Sequence, residues 1–123
     1  MTTSNQLPNN NGQIFDLGER TLRFGKMIVR FCRGIGENAT TRPIISQLVR
    51  SGTSIGANYC EANEANSKKD FRHKLGIAKK EAKETMYWLR VIIEADIRLK
   101  ADAQNLWQEA HEFVLIFASS LKK

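Results

Sequence analysis

The 123-residue sequence has few cysteines, few prolines and no long apolar run. Its two cysteines, Cys32 and Cys60, are too few for a disulfide framework and lie in helical patterns, so we expect reduced thiols in a cytoplasmic protein. Charged residues interrupt every helical pattern, and no segment reaches the roughly 20 apolar residues that cross a bilayer. The first fifteen residues have neither a basic start nor an apolar core, so we expect no signal peptide and no membrane partner.

Acidic residues are fewer than basic residues. Nineteen Lys and Arg face thirteen Asp and Glu, which gives a net charge of +6. Such an excess predicts an acidic partner, and nucleic acid, anionic lipid and an acidic protein all fit that description. With 41% apolar residues and only two prolines, the chain has the composition of one ordered globular domain.

Apolar residues recur at helical spacing in four segments, and no strand pattern competes with them. The first predicted helix runs from about Asp16 to Ile35, and the second runs from about Thr41 to Ala65. The third begins at Ser67 and should be the longest. The fourth follows the polar stretch 98–102 and runs almost to the C-terminus. Four amphipathic helices with short connections favour an all-α fold, an antiparallel up-down-up-down four-helix bundle. We assign residues 16–123 to this bundle and residues 1–15 to a flexible N-terminal tail.

The segment from Ser51 to Glu61 is rich in small and polar residues, yet it keeps helical spacing. A helix of such low intrinsic propensity must be held by its neighbours. Gly52, Gly56 and Cys60 recur at every fourth position, which lets another helix approach closely. We therefore predict that this segment is a helix packed tightly against other helices.

The third helix carries more apolar surface than one core-facing stripe can bury. Ile77, Trp88 and Val91 lie about a third of a turn away from its core line. One interpretation is a wide core-facing arc with Trp88 half exposed. The other, which we favour, is a contact between subunits, and it predicts a homo-oligomer.

Two rows of cations run along helices at three-, four- or seven-residue steps, away from the apolar stripes. The first basic row comprises Arg23, Lys26, Arg30 and Arg33, and the second comprises Arg72, Lys79, Lys83 and Arg90. Such rows can meet the phosphates of a nucleic acid, and a ring of subunits would multiply these contacts. The alternative is a solvated face, with part of the charge used in i,i+4 pairs such as Lys80 with Glu84 and Asp70 with Lys74.

Catalytic and metal-binding patterns are weak. A di-iron bundle needs a repeated Glu-x-x-His, whereas this chain has a single Asp70-x-x-His73 and a Glu109-x-His111 whose spacing points to different helix faces. Neither cysteine has a neighbouring histidine, and no glycine-rich loop follows a strand. We therefore expect no enzymatic activity, no metal and no cofactor.

The residues Ser54-Ile55-x-x-Asn58-x-x-Glu61, continued by Ser67-Lys68-Lys69-Asp70-Phe71 and by the stretch 80–89, form a specific pattern. It resembles the bacterial four-helix bundle protein family, which includes proteins encoded in intervening sequences of 23S rRNA genes. The resemblance spans about residues 15–121. From the residues themselves, Asn58 and Glu61 are expected to hydrogen-bond another helix or subunit rather than a substrate.

The resemblance implies an antiparallel bundle that assembles into a ring, usually of five subunits, with no established enzymatic activity. It also implies a kinship of fold with the basic, pentameric accessory protein of diversity-generating retroelements, which works on nucleic acid beside a reverse transcriptase. Two hypotheses follow. The protein is either a homo-oligomeric scaffold that binds RNA, DNA or a ribonucleoprotein through its basic faces, or an adaptor for an acidic protein.

Overall fold

Four α-helices make up most of the chain, as predicted. A computed structural model describes the backbone of residues 6–8 and 14–123 and the side chains from residue 16 onward. The helices are α1 (Leu17–Arg33), α2 (Thr41–Asn63), α3 (Lys68–Ala95) and α4 (Lys100–Leu121). At 28 residues, α3 is the longest of them.

Two short strands precede α1. β1 (Gln6–Pro8) and β2 (Ile14–Asp16) pair in antiparallel fashion, with Leu7 opposite Phe15. The expectation that the chain has no strand is therefore wrong for these six residues. Segments of three residues are too short to show an alternating pattern, and their pairing uses main-chain groups rather than a particular type of side chain. The predicted flexible tail, residues 1–15, falls mostly on residues outside the described part of the chain.

The predicted N-terminal caps of α1 and α3 are both present. The Asp16 carboxylate accepts a hydrogen bond from the backbone N–H of Gly18 at 2.8 Å. The Ser67 hydroxyl accepts one from the N–H of Asp70 at 3.0 Å. Each cap satisfies a backbone donor that the helix itself leaves unpaired, which explains why both helices begin there.

The break between α3 and α4 is shorter than the sequence suggested. Asp96 ends α3 and accepts a hydrogen bond from the N–H of Arg98 at 3.0 Å, and a 3₁₀ turn spans Ile97–Leu99. α4 then begins at Lys100, inside the polar stretch 98–102 that we had placed before the helix. The first turn of a surface helix is often polar, so its start leaves little trace in the apolar pattern.

Aromatic side chains from three helices meet in the core. The rings of Phe24 in α1 and Phe113 in α4 make an edge-to-face contact with centroids 5.5 Å apart. Tyr59 of α2 stacks on Phe117 of α4 at 5.9 Å, and burial raises the pKa of its hydroxyl to about 12. Each such buried side chain contributes about 1.5–3 kcal/mol relative to an exposed one.

The segment 51–61 is helical throughout, and it packs closely on α1 as predicted. A Cβ atom on Gly52 would lie 2.8 Å from the Ile28 side chain, and one on Gly56 would lie 3.1 Å from the Thr21 hydroxyl oxygen. Both distances are shorter than ordinary van der Waals contact. The missing side chains therefore allow α1 to lie against α2 at this separation.

On its other side α2 packs against α3 through small polar residues. The hydroxyl oxygen of Thr85 lies 3.0 Å from that of Ser51 and 2.8 Å from the Glu81 carbonyl oxygen, and all of these atoms are buried or nearly so. The apolar pattern missed both side chains because it counts only hydrophobic positions. A satisfied hydroxyl can occupy a core position at little cost.

Ion pairs at the edge of this contact connect α2 with α3. Arg50 pairs with Glu81 at 3.0 Å and also with Glu84. The indole N–H of Trp88 donates to Glu84 at 3.1 Å. This hydrogen bond and the Arg50 guanidinium hold the pKa of Glu84 below its ordinary value of 4.5.

A second ion pair joins Lys74 of α3 to Glu61 of α2 at 2.8 Å. Because Arg50 meets α3 near its middle and Glu61 meets it nearer its start, α2 and α3 run in opposite directions along this contact. The expected i,i+4 pairs, Lys80–Glu84 and 70–74, do not occur among the ion pairs of residues 16–123. Glu84 and Lys74 bind residues of α2 instead.

α1 also contacts α4. The Nε and Nη2 atoms of Arg20 donate to the two carboxylate oxygens of Glu109 at 2.8 Å, and the guanidinium lies 5.3 Å from the centroid of the Phe113 ring. The hydrogen bonds to Glu109 raise the pKa of Arg20. A bidentate, partly buried pair of this kind is among the stronger side-chain contacts between helices.

The contact between α1 and α2 yields a prediction about stability. Gly52→Ala should lower the free energy of unfolding by about 1–3 kcal/mol, because the new methyl group overlaps Ile28. Gly76 in α3 is the matched control, since a Cβ atom there meets nothing within 4 Å. Gly76→Ala should stabilise by about 1 kcal/mol through helix propensity. Urea denaturation of both variants checks this, and equal effects would contradict the close packing.

The pKa shift of Glu84 yields a second prediction. A carboxyl whose pKa is lowered on folding adds stability above its unfolded pKa, and this stability is lost as the pH falls. Glu84→Gln should therefore lower the unfolding free energy at neutral pH by up to about 1 kcal/mol. The difference from wild type should shrink as the pH drops below the ordinary value of 4.5. Denaturation curves across that range provide the measurement.

The control for this titration is Glu94→Gln. Glu94 is an exposed carboxylate of the same helix and forms no ion pair in the described part of the chain. Its replacement should change the unfolding free energy by less than about 0.5 kcal/mol. A pH-independent effect of Glu84→Gln would show that shape, not charge, matters at this site.

Candidate nucleic-acid interface

The first basic row lies on the surface of α1. Arg23, Lys26, Arg30 and Arg33 are all exposed, while the buried residues of α1 occupy the opposite side of the helix. Arg30 and Arg33 also fall in the last turn. Cations are favoured there by the partial negative charge of the helix C-terminus, so part of their role is structural.

A groove between α1 and α2, with a volume of about 740 Å³, runs beside this row. Lys26, Arg30 and Arg33 line its basic side. Leu22 and Val29 are 48% and 37% exposed and line the groove as well. The remaining lining residues are mostly small or lie near the start of α1: Asp16, Gly18, Glu19, Thr21, Gly25, Thr53, Gly56, Ala57 and Cys60. We call this surface the α1–α2 groove.

Three cations of the first basic row differ from Arg20 and Arg50 in that they bind no carboxylate of residues 16–123. Arg20 and Arg50 each bind a carboxylate of another helix. In contrast, Lys26, Arg30 and Arg33 have no carboxylate within ion-pair distance among residues 16–123. Their charge is therefore not neutralised by the part of the chain that the structure describes.

The second basic row is less uniform. Arg72 donates a hydrogen bond to the Leu121 carbonyl at 2.6 Å, which satisfies a main-chain acceptor at the end of α4. Lys79 is half-buried. Only Lys83 and Arg90 project freely from the surface of α3. The row thus divides into two residues near helix contacts and two that are available to a ligand.

Lys83 and Arg90 border a hollow between α3 and α4 with a volume of about 490 Å³. Tyr87 and Trp107 line the same hollow, together with Met86 and Val91. We call this surface the α3–α4 hollow. Neither Tyr87 nor Trp107 was predicted to bind a ligand. The signal for Tyr87 was its position between the cations Lys83 and Arg90 on one helix.

The two basic rows occupy different parts of the fold. The first row borders α2 through the α1–α2 groove, and the second borders α4 through the α3–α4 hollow. The main contacts of α1 and of α3 are with α2 and α4 rather than with each other. The structure thus presents two separate basic surfaces rather than one.

The residues that carry the family pattern lie along one side of α2. Ile55 is fully buried. The Ser54 hydroxyl donates to the Arg50 carbonyl at 2.6 Å, and the Asn58 amide donates to the Ser54 carbonyl at 2.9 Å. Asn58 thus bonds to its own helix, whereas Glu61 reaches Lys74 of α3.

The apolar residues assigned to a subunit contact, Ile77, Trp88 and Val91, are all half-buried. Trp88 packs against the core and makes an edge-to-face contact with Tyr87 at 5.0 Å. The exposed remainder of these side chains lies on the outer surface of α3. They are therefore divided between the core of the subunit and its surface.

The described residues contain no cluster of three His, Cys, Asp or Glu side chains arranged to hold a metal. Burial raises the pKa of Cys32 to about 11, which makes its thiol a poor nucleophile at neutral pH. Cys60 is exposed, and neither cysteine forms a disulfide. None of the four described helices has the length and apolar character needed to span a bilayer.

The chain is similar in sequence and in fold to known proteins. The chain is similar to a crystal structure of a protein of unknown function from the S23 ribosomal protein family of Bacteroides thetaiotaomicron VPI-5482, with 34% identity and a TM-score of 0.79. The match covers 87% of this chain and 99% of that one. A comparison with curated proteins gave no match. The model of the 23S rRNA-intervening sequence protein family matches residues 15–119, and the chain therefore belongs to that family.

Proposed function

We propose that this protein is a non-enzymatic, homo-oligomeric scaffold that binds RNA or DNA through the first basic row. The observation that carries the proposal is that Lys26, Arg30 and Arg33 lie together, exposed, on one helix without a carboxylate partner among residues 16–123. The two cysteines form no disulfide, which supports a reducing, cytoplasmic location.

The spacing of these cations suits a phosphate backbone. Lys26 and Arg33 are seven residues apart, or about 10 Å along the helix axis. That length corresponds to about three nucleotides of a stacked strand at roughly 3.4 Å each. Arginine also presents a planar fork that binds two phosphate oxygens at once. The contacts carry no base-specific information, so we expect binding without sequence preference.

Three phosphate contacts in one subunit give only weak binding, and assembly would strengthen it. Linked copies of the row bind one nucleic acid with an affinity well above that of a single copy. We propose that the four helices form an up-down-up-down bundle, which the opposed contacts of α2 and α3 support. We further propose that the bundles assemble into a ring, with five subunits as the resemblance implies.

Two apolar surfaces support the assembly. A ring requires that two different faces of each subunit meet, because the contact is repeated head to tail. Leu22 and Val29 on the apolar side of the α1–α2 groove provide one such surface, and the basic side with Lys26, Arg30 and Arg33 is left to the nucleic acid. Ile77 and Trp88 on α3 provide the other, and Val91 lies where this surface meets the α3–α4 hollow.

Removing the charge of the first row tests nucleic-acid binding. The variant Lys26→Gln/Arg30→Gln/Arg33→Gln should bind structured RNA and single-stranded DNA at least tenfold more weakly at low salt. The slope of log K against log salt concentration should fall by roughly 2, since each lost contact contributes about 0.7–0.9. Gel shifts across a series of salt concentrations give both quantities.

The matched control removes the same charge elsewhere. Lys69, Lys122 and Lys123 are exposed and lie outside both basic rows. Replacing all three by Gln should change the affinity by less than about threefold, as expected of a nonspecific electrostatic effect. Equal weakening by the two variants would contradict the proposed surface. Absence of binding by the wild type at low salt would favour an adaptor for an acidic protein.

Assembly is tested by sedimentation velocity. The wild type should sediment as a multiple of the 14.0 kDa subunit, with five copies expected. Leu22→Gln places a polar amide in the α1–α2 groove and should lower the oligomer mass at micromolar concentration. Leu115→Gln is the control, because Leu115 is 51% exposed on α4 and lies outside the groove. A monomeric wild type would overturn the proposal.

A further inference from the structure

The α3–α4 hollow combines chemical groups that the first basic row lacks. Tyr87 and Trp107 line it together with Lys83 and Arg90. The α1–α2 groove, by comparison, has cations, two carboxylates and aliphatic residues, but no aromatic residue among the lining residues from Asp16 onward. We infer that the α3–α4 hollow binds single-stranded nucleic acid by stacking bases on Tyr87 and Trp107, an inference that rests on the proposed function and specifies its ligand.

Tyr87 is the more exposed of the two aromatic residues that line the α3–α4 hollow. Tyr87 is 60% exposed, so its ring is accessible to a ligand. The edge-to-face contact with Trp88, at an interplanar angle of 80°, holds the ring in one orientation. A ring that is held in place and partly exposed loses little freedom when a base stacks on it.

Trp107 packs partly against the core and presents the rest of its ring to the same hollow. It stacks on His111, with ring centroids 5.1 Å apart and an interplanar angle of 26°. The indole also borders a neighbouring hollow of about 450 Å³, which Arg90 lines as well. Trp107 and Arg90 therefore connect two adjoining depressions along the same α3–α4 surface.

The charges at this surface match a nucleic-acid strand. Lys83 and Arg90 are exposed and form no ion pair among residues 16–123. Glu94 is the one carboxylate that lines either hollow, and it borders only the second. A row of aromatic rings flanked by cations binds bases on the rings and phosphates on the cations.

Duplex nucleic acid does not fit this arrangement, because its bases are stacked on each other and their faces are not accessible. A single strand offers free base faces, and each base–aromatic stack strengthens binding several-fold or more. The α3–α4 hollow therefore favours single strands, whereas the first basic row binds either form through phosphate. The two surfaces have different ligand preferences within one protein.

Fluorescence of Trp107 tests the inference directly. The chain contains two tryptophans, so Trp88→Phe leaves Trp107 as the single indole reporter. Oligo(dT) should quench this fluorescence on binding, because a base stacked on indole quenches it, and the blunt duplex of the same length should not. Equal quenching by both, or none by oligo(dT) under conditions where it binds, would overturn the inference.

Substitution of Tyr87 provides a second, independent measurement. Tyr87→Ala should weaken oligo(dT) binding about 5- to 100-fold, in line with the loss of one base stack. Tyr87→Phe keeps the ring and should bind within about twofold of wild type. Because Tyr87 is exposed, neither change should disturb folding, which circular dichroism verifies. Unchanged oligo(dT) affinity of Tyr87→Ala would overturn the inference.

The duplex separates this inference from the proposed function. If the duplex binds and loses affinity in the first-row variant while Tyr87→Ala has no effect on oligo(dT), the proposed function stands and the stacking site is refuted. If neither duplex nor oligo(dT) binds at low salt, both are refuted. Loss of oligo(dT) binding in Tyr87→Ala, with duplex binding unchanged, is the result that supports the stacking site.

Discussion

The close packing of α2 against two neighbouring helices is the constraint on which the rest of the structure depends. Gly52 and Gly56 leave room for Ile28 and Thr21 of α1, and Ser51 meets Thr85 of α3 through buried hydroxyl groups. Glycine in a helix costs about 1 kcal/mol relative to alanine, so the segment is poorly suited to be helical alone. Contacts with both neighbours offset that cost. Gly56 also lines the α1–α2 groove, together with the small α2 residues Thr53, Ala57 and Cys60.

The charged residues divide into two groups by their partners. Arg20 and Arg50, with Lys74, pair with carboxylates of other helices and help to hold the helices together; of these pairs, Arg20–Glu109 is the one with both side chains partly buried. Lys26, Arg30 and Arg33 of the first basic row form no such pair among residues 16–123, and Arg30 and Arg33 also stabilise the C-terminal end of α1. Each of these ion pairs combines one positive and one negative charge, so the pairs add nothing to the net charge of +6. The excess positive charge therefore comes from other cations, which lie on the surface. The surface cations therefore favour a ligand of negative charge.

Much of the secondary structure could be predicted from the sequence. Asp16 and Ser67 were recognised as caps because their side chains satisfy main-chain donors that are known from local sequence alone. The pairing of charges could not be predicted in the same way. Local spacing suggested that Glu84 would pair with Lys80, but Glu84 pairs with Arg50 of α2 instead, and the folding of the chain is what brings these two side chains together. The burial of Thr85 was missed for a related reason, since its partner Ser51 is distant in the sequence.

The sequence by itself determined the four helices, the N-terminal caps of α1 and α3, the helical state of the segment 51–61 and membership of the family, because each depends on local spacing or on a continuous residue pattern. Only the tertiary structure decided which cations are paired and which surfaces the two basic rows border. It also brought Trp107 of α4 beside Tyr87 of α3. The physical reason is that such contacts depend on the relative placement of helices, which is set by packing of side chains far apart in the chain.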